Sequence, residues 1–363
     1  MNYKEALFFV AKCLTISLEE KNRDEIEIIL QTIDVDWDAV VKVSTSHYVF
    51  PALYCNLKRA NFLKYVPKDL LGYMAHITEL NRKRNLQIIK QGKELNDLLL
   101  ANNITPIFLK GTGNLLGGLY DDIAERMVGD IDFIVNKNHI SSLKILLSDS
   151  GYNVNKMMRH FHRHESRFVN ENYIAAVEVH KELLIEKYSQ EFDYDLIYKE
   201  IQEINGVMVL SFDHQLALSI FAQQINDFGY DYKNITLRNA YDVFILSKKT
   251  NPKRAILKFS NLRHPMNCFL ASCYITFGKI DSLEYEPSKE IEKYLCTFNN
   301  LLLDVKKSKS RRKLIDKKIF IEQRIRLFYR IIFHKEYRVW LFNRILDKNW
   351  QSKKLVQLGF KKS

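Results

Sequence analysis

The sequence contains no run of eighteen apolar residues, so it offers no transmembrane helix. Its first residues, MNYKEALFFVAKCLTISLEEKNRDE, include an apolar stretch but no A-x-A-like cleavage site, and acidic residues follow at once. That stretch reads as a first helix and not as a secretion signal. Cysteine is sparse: Cys13, Cys55, Cys268, Cys273 and Cys296 are scattered, odd in number and free of any C-x-x-C spacing. This argues against a disulfide framework and suits free core thiols in a reducing cytoplasm. The patterns G-x-x-x-x-G-K-S/T, G-x-S-x-G and H-E-x-x-H are missing, which leaves the common ATPase, hydrolase and zincin chemistries without support. No internal repeat is visible.

What is present is an ordinary globular composition with a skewed charge. The chain has 363 residues, 47% hydrophobic and 27% charged, enough for one large or two ordinary domains. Its net charge of +12 gathers late, in KKSKSRRKLIDKK from Lys306 and in IEQRIRLFYRIIFHKEYRVWLFNRIL after it. A tail of this kind can meet RNA, an anionic membrane surface or an acidic partner, or serve only as a solvated helical face.

Residues 1–100 look helical, and the stretch 67–102 is the clearest long helix, with Leu71, Met74, Ile77, Leu80, Leu86, Ile88, Ile89, Leu95, Leu98 and Leu99 keeping a roughly helical period. Pro67 opens it and Asn102-Asn103 can close it. The period then changes. ITPIFL at 104–109 is a short β-like run, followed by KGTGNLLGG, a glycine-containing turn into a short helix. DIDFIV at 130–135 alternates as a strand, 136–150 fits a helix ended by Gly151, strands follow near 165–169 and 173–180, and 207–210 is a possible fifth. Asp213 is a plausible cap for HQLALSIFAQQI. The expected organisation is α+β: an N-terminal helical region (1–100), a core with a small mixed β-sheet (101–215), a helical region packed on it (216–303), and basic C-terminal helices (304–363), with 304–318 as the best linker.

The chemistry-bearing residues cluster in that core. Alternate side chains of a strand share a face, so Asp130 and Asp132 point the same way, roughly 7 Å apart at Cα, while Ile131 and Phe133 point into the core. Two neighbouring carboxylates stay ionised only where cations neutralise them, and hard oxygen donors at this spacing suit Mg²⁺ or Mn²⁺. In AAVEVH, Glu178 and His180 share one face, and a third carboxylate on a nearby strand is what two-metal phosphoryl chemistry needs. His180 could orient Glu178, touch substrate, or be a satisfied strand histidine. Lys110-Gly111-Thr112 stands at a strand end and helix start, where a glycine lets backbone amides approach phosphates. Lys110 and Arg126 could each offset phosphate charge. His160, His162 and His164 sit at strand spacing, but with no cysteine nearby they read as solvated, or as one histidine lining the cleft, before they read as a zinc site.

The run FLKGTGNLLGGLYDDIAERMVGDIDFIV, followed by VEVH, resembles the uncharacterised nucleotidyltransferase family of bacteria. In that pattern a strand ends in L-K-G, an arginine follows, then D-I-D among apolar residues, then an E-x-H strand. Leu109, Lys110, Gly111, Arg126, Asp130, Ile131, Asp132, Glu178 and His180 match it. LRNAYDVFIL resembles the family's R-L-x-x-x-x-D helix, with Arg238 and Asp242 four apart, a spacing that also suits a structural pair. The resemblance covers about residues 70–250. It implies a polymerase-β-like nucleotidyltransferase core with two divalent ions, Mg²⁺ or Mn²⁺. It also implies an NTP donor, ATP first, whose NMP passes to a hydroxyl-bearing acceptor with release of pyrophosphate. Asp130, Asp132 and Glu178 would be catalytic and metal-binding; Lys110, Gly111, Thr112 and Arg126 would bind nucleotide; His180 would contact substrate. The acceptor, whether sugar or small molecule, peptide or protein, or RNA, is not legible. One departure is the gap between Gly111-Thr112 and Asp130, longer than the broader superfamily's glycine spacing. A non-catalytic nucleotide- or RNA-binding module on the same fold is the alternative.

Overall fold

A computed structural model of the chain describes residues 1–154 and 163–357. It divides into two compact units, Met1–Asp304 and Val305–Ser363.

The spine of the first unit is the helix Lys68–Leu100, thirty-three residues long. Its apolar period buries Met74, Ile88, Leu95 and Leu99 but leaves Leu80 and Leu86 exposed, off the packed face. The same face also carries amides, and these bind the backbone of the loops that cross it. Asn85 donates to the carbonyls of Ile123 (2.6 Å) and Arg126 (2.8 Å), and Asn81 donates to that of Ala124 (2.7 Å). Gln91 both donates to Ala175 O (2.8 Å) and accepts from Ala175 N–H (3.2 Å). A buried carbonyl left without a donor costs about 1–3 kcal/mol. The amides on this one helix therefore hold in place the segments that lead into the two central strands.

Among the described residues, seven strands form one mixed sheet: β1 (Ile107–Phe108), β2 (Asp130–Ile134), β3 (Asn153–Val154), β4 (Phe168–Val169), β5 (Ala176–His180), β6 (Ile201–Ile204) and β7 (Val207–Leu210). Their spatial order is β3-β4-β5-β2-β1-β7-β6. Central β2 runs parallel to β5 and antiparallel to β1, which is parallel to β7. With helices before and after this sheet, the chain has the α+β architecture expected.

Several local expectations are corrected. The paired parts of the strands are shorter than the apolar runs around them, because pairing ends where a neighbour ends. The two-residue β1 gives way at Leu109 to the helix Lys110–Leu116. Strands β3 and β6 were not anticipated: β3 is exposed, and β6 carries Gln202 and Glu203 on an edge. The cap of the helix Phe212–Phe221 is Ser211, which accepts from His214 N–H, while Asp213 faces Lys258 and Thr250. The 304–318 segment, where the division between the two units falls, is not irregular. It begins the helix Val305–Phe333, since lysine and arginine are good helix formers and charge alone does not break a helix.

The second unit comprises that helix with Lys335–Leu346 and Lys348–Gln357. Its helices leave Ile325, Phe328, Ile332 and Phe342 more than 60% exposed. Among the described residues, no helix is long and apolar enough to cross a membrane.

One glycine sets how closely the helix after β1 can approach. A Cβ on Gly113 would lie 2.6 Å from the carbonyl oxygen of Phe108, which is backbone and cannot rotate away. Gly113→Ala should therefore lower unfolding free energy by about 1–3 kcal/mol, the usual cost of overpacking. Urea denaturation measures it, and an unchanged midpoint would mean that the helix slides freely along β1.

Candidate functional site

The parallel register of β2 and β5 pairs Asp130 with Ala176, Asp132 with Glu178 and Ile134 with His180. Strand parity sends Ile131, Phe133, Val177 and Val179 into the core, all fully buried. The opposite face carries Asp130, Asp132 and Glu178, all half-buried. Three carboxylates thus share one face of two adjacent strands.

Each of them meets a cation or an imidazole. Lys110, held at a left-handed φ of 51° where β1 becomes helix, places Nζ 2.6 Å from Asp132 Oδ1. His180 Nε2 is 2.8 Å from the same oxygen. Lysine can only donate, so the arrangement is consistent when Asp132 accepts from Lys110 and from the Nε2–H of a neutral His180. Arg167, just before β4, donates to Asp130 and lies 3.8 Å from Glu178 Oε1. His164 Nδ1 is 3.3 Å from Glu178 Oε2, and its ring packs on that of His180 with centroids 4.0 Å apart.

The electrostatics follow from these contacts. Burial alone would push the Asp132 carboxyl up, but Lys110 and His180 together hold it well below the usual carboxylate range. The hydrogen bond from His164 lowers Glu178 against the effect of its burial. Burial and the nearby Lys110 charge push His180 down to about 3, so it is neutral at any physiological pH. Burial also lowers His164.

Lys110 alone of its tripeptide reaches the carboxylates. Gly111 packs beneath, where a Cβ would meet Val128 at 3.1 Å and the Arg126 guanidinium at 3.4 Å. Thr112 is buried; its hydroxyl donates to Asp130 O (2.7 Å) and accepts from Asp132 N–H (3.4 Å), which clips the helix to β2. Arg126 is 7% exposed and is not gathered with the carboxylates. Its Nε lies 3.0 and 3.1 Å from the two oxygens of Asp242, Nη2 lies 2.9 Å from Oδ2, and Nη1 donates to Met127 O. Tyr120 donates to the same carboxylate at 2.7 Å. Asp242 is therefore bound to Arg126, while Arg238 lies over the Tyr48 ring.

Sequence reasoning missed Arg163 and Arg167, and read Arg238 only beside Asp242 in the Leu237–Ser247 helix. Burial lowers Arg163, against the opposing charges of Asp227, Asp132 and Glu178; burial likewise raises Asp227 and lowers Arg238. Among the described residues, Arg163 Nη1 and Arg238 Nε are buried without a hydrogen-bond acceptor. No spacing rule links Arg163 and Arg167 to D-I-D; the only cue was their basic character near the motif. Of the three spaced histidines, His164 stands at the site, and His160 and His162 lie outside the described residues. The donor chemistry of the cluster, with three carboxylates and two imidazoles on one face, fits divalent cations.

Buried neutral histidines also set a pH dependence. His180 is pushed down to about 3 and His47 to about 4, both by burial. Both His47 nitrogens are engaged, by Tyr3 OH and by Leu237 N–H. In the unfolded chain these rings take up protons below pH ~6.5, whereas the folded chain refuses them. Stability should fall as pH drops from 7 to 5, by about 2 kcal/mol per ring at pH 5. Asp132 has its pKa lowered, so its stabilising contribution is lost only below pH ~3.8 and does not enter this window. Urea midpoints at pH 7, 6 and 5 test the expectation; a flat series contradicts it.

A family model described as uncharacterised nucleotidyltransferase matches residues 34–277. No curated protein matches the chain. Among solved structures, JHP933 from Helicobacter pylori is similar at 14% identity, covering 66% of this chain and 97% of its own, with a TM-score of 0.29. A candidate nucleotidyltransferase from the same organism is similar at 16% identity, covering 65% of this chain and 96% of its own, with a TM-score of 0.28. Scores this low add nothing about the site.

Proposed function

Because this chain belongs to the uncharacterised nucleotidyltransferase family, we propose that it is a metal-dependent enzyme that moves an NMP from an NTP, ATP first, to a hydroxyl-bearing acceptor and releases pyrophosphate. The observation that carries this reading is the β2–β5 register, which sets Asp132 beside Glu178 with Asp130 on the same face.

Asp130, Asp132 and Glu178 are the residues that would hold two divalent ions, Mg²⁺ or Mn²⁺. When bound, such ions activate an attacking hydroxyl and steady the leaving pyrophosphate. Glu178 stands where a carboxylate can also take the acceptor's proton. Lys110 and Arg167, now on the carboxylates, are the nearest cations for the triphosphate. Among the described residues, Arg163 and Arg238 present buried N–H groups without acceptors, which an anion would satisfy. Thr112 and Arg126 act beneath the site, one fixing β2 and the other fixing the helix Leu237–Ser247 through Asp242. Catalysis of this kind rests on positioning and charge, with little covalent work by the protein.

A second reading, a nucleotide- or RNA-binding module without catalysis, is favoured by one feature. Lys110 and Arg167 already neutralise Asp132 and Asp130 from within the chain. Pyrophosphate release from each of the four NTPs, with Mg²⁺ or Mn²⁺ and cell extract as acceptor source, separates the two. Release with one NTP establishes transfer and names the donor. Metal-dependent NTP binding with no release leaves the binding module.

The second unit fits an anionic partner. After residue 304 the chain has nineteen lysines and arginines against four aspartates and glutamates. The full chain should be retained on a polyanion such as heparin at low salt and released steeply as salt rises, because counterion release drives such binding. Retention that does not depend on salt would remove the electrostatic account.

A further inference from the structure

Beside the three carboxylates lies a donor set of a different character. His164, Glu178 and His180 each offer one ligand atom, and these atoms all lie within 4.8 Å of one another. Two imidazoles and one carboxylate are a nitrogen-rich set, whereas Asp130 and Asp132 provide oxygen alone. Mg²⁺ prefers an octahedron of oxygens and keeps its waters, while imidazole suits zinc, cobalt and related ions. We propose that His164, Glu178 and His180 form a transition-metal position that takes Zn²⁺ or Co²⁺ in preference to Mg²⁺. The protein would then carry unlike ions at adjacent sites, an oxygen-bound one at Asp130 and Asp132 and a nitrogen-bound one next to it.

Three observations converge on this position. The first is proximity. A tetrahedral ion with bonds of about 2.1 Å holds its donors roughly 3.4 Å apart. A cluster within 4.8 Å closes on such an ion by small side-chain rotations.

The second is the state of His180. This ring is fully buried and its Nε2 is engaged by Asp132 at 2.8 Å. Among the described residues, its other nitrogen, Nδ1, is buried without a hydrogen-bond partner. A wholly buried lone pair with nothing to accept costs free energy, and a cation supplies what it lacks. A carboxylate on one ring nitrogen is also the usual device that orients a metal-binding histidine and raises its basicity.

The third is how the backbone aligns the set. Strand parity puts Glu178 and His180 on one face, and the isolated antiparallel bridge between His164 and His180 brings the second ring against the first. His164 is 3.3 Å from Glu178, so all three groups already touch in a chain.

This inference rests on the nucleotidyltransferase reading only for its use in catalysis; the ion-binding claim can be tested without turnover. The full chain, stripped with a chelator, is titrated with Co²⁺ and followed by visible absorbance. Metal retained after dialysis is counted by elemental analysis. Expected are one tightly held Co²⁺ per chain with a spectrum of nitrogen ligation, displacement by equimolar Zn²⁺, and persistence in millimolar Mg²⁺. His164→Gln should weaken Co²⁺ by at least about tenfold, a loss of the size seen when a metal-site partner is removed. Asp130→Asn should leave the Co²⁺ spectrum unchanged. Imidazole resonances of the wild-type chain provide a measurement that needs no variant: Zn²⁺ should shift two histidines and leave the exposed ones unmoved.

A Co²⁺ spectrum of oxygen ligation only, full displacement by Mg²⁺, or His164→Gln binding like wild type would overturn the proposal. Pyrophosphate release with Mg²⁺ and no nitrogen-bound ion would sink this inference and leave the proposed function standing. A nitrogen-bound ion with no release from any NTP would do the reverse.

Discussion

In the proposed transfer reaction, Asp132→Asn is expected to release pyrophosphate about 10²–10³ times more slowly than wild type, the usual loss when a preorganised electrostatic group is removed. Asp132 is the carboxylate on which the site converges: Lys110 and His180 both reach Oδ1, and the β2–β5 register sets Glu178 beside it. The pair of contacts holds the carboxyl ionised despite its burial. Asparagine keeps the shape but removes the charge, so the proposed ion would lose a ligand and Lys110 loses its counter-charge. The fold should survive, because Ile131 and Phe133, which anchor β2 in the core, are untouched. Circular dichroism checks the fold, and a pyrophosphate assay checks the rate. Wild-type turnover in a folded Asp132→Asn variant would remove Asp132 from the chemistry and with it the present assignment of the site.

Arg126→Met will destabilise the chain by about 3–5 kcal/mol, because it strands Asp242 as a buried, uncompensated charge. The geometry is that of a strong pair: Nε and Nη2 both address the carboxylate, Met127 O takes Nη1, and Tyr120 completes the acceptor side. Asp242→Leu should cost a similar amount, leaving a guanidinium in its place. The double variant Arg126→Met/Asp242→Leu should recover much of the loss, since an apolar replacement of a whole buried pair is often neutral or better. Urea denaturation of the four proteins gives the coupling directly. If the two single losses simply add, the pair is not coupled, and Arg126 would be free to serve the nucleotide.

Much of the central sheet was legible because its signals are local. D-I-D-F-I alternates with period two, so the shared face of Asp130 and Asp132 follows from the backbone geometry of any strand. The helix Lys68–Leu100 followed from its apolar period in the same way. One legible signal went unread. Asn205 and Gly206, both at positive φ, make the tight turn between β6 and β7, and Asn-Gly is the strongest short hairpin cue. Asn81, Asn85 and Gln91 were not legible as buried, since an amide on a helix gives no sign of whether a loop carbonyl will cross it.

By itself, then, the sequence determined the α+β order of elements, the position of the sheet within a helical chain, and which carboxylates point together. Tertiary structure alone decided what each of them meets. Lys110 reaches Asp132 across 22 residues and Arg126 reaches Asp242 across 116, pairings that depend on which elements pack together and not on any spacing in the chain. Arg126 resembled a phosphate ligand in the sequence because a guanidinium near D-I-D has the right charge. Its actual partner arrives on the helix Leu237–Ser247, and only the packing of that helix could bring a carboxylate within 3 Å.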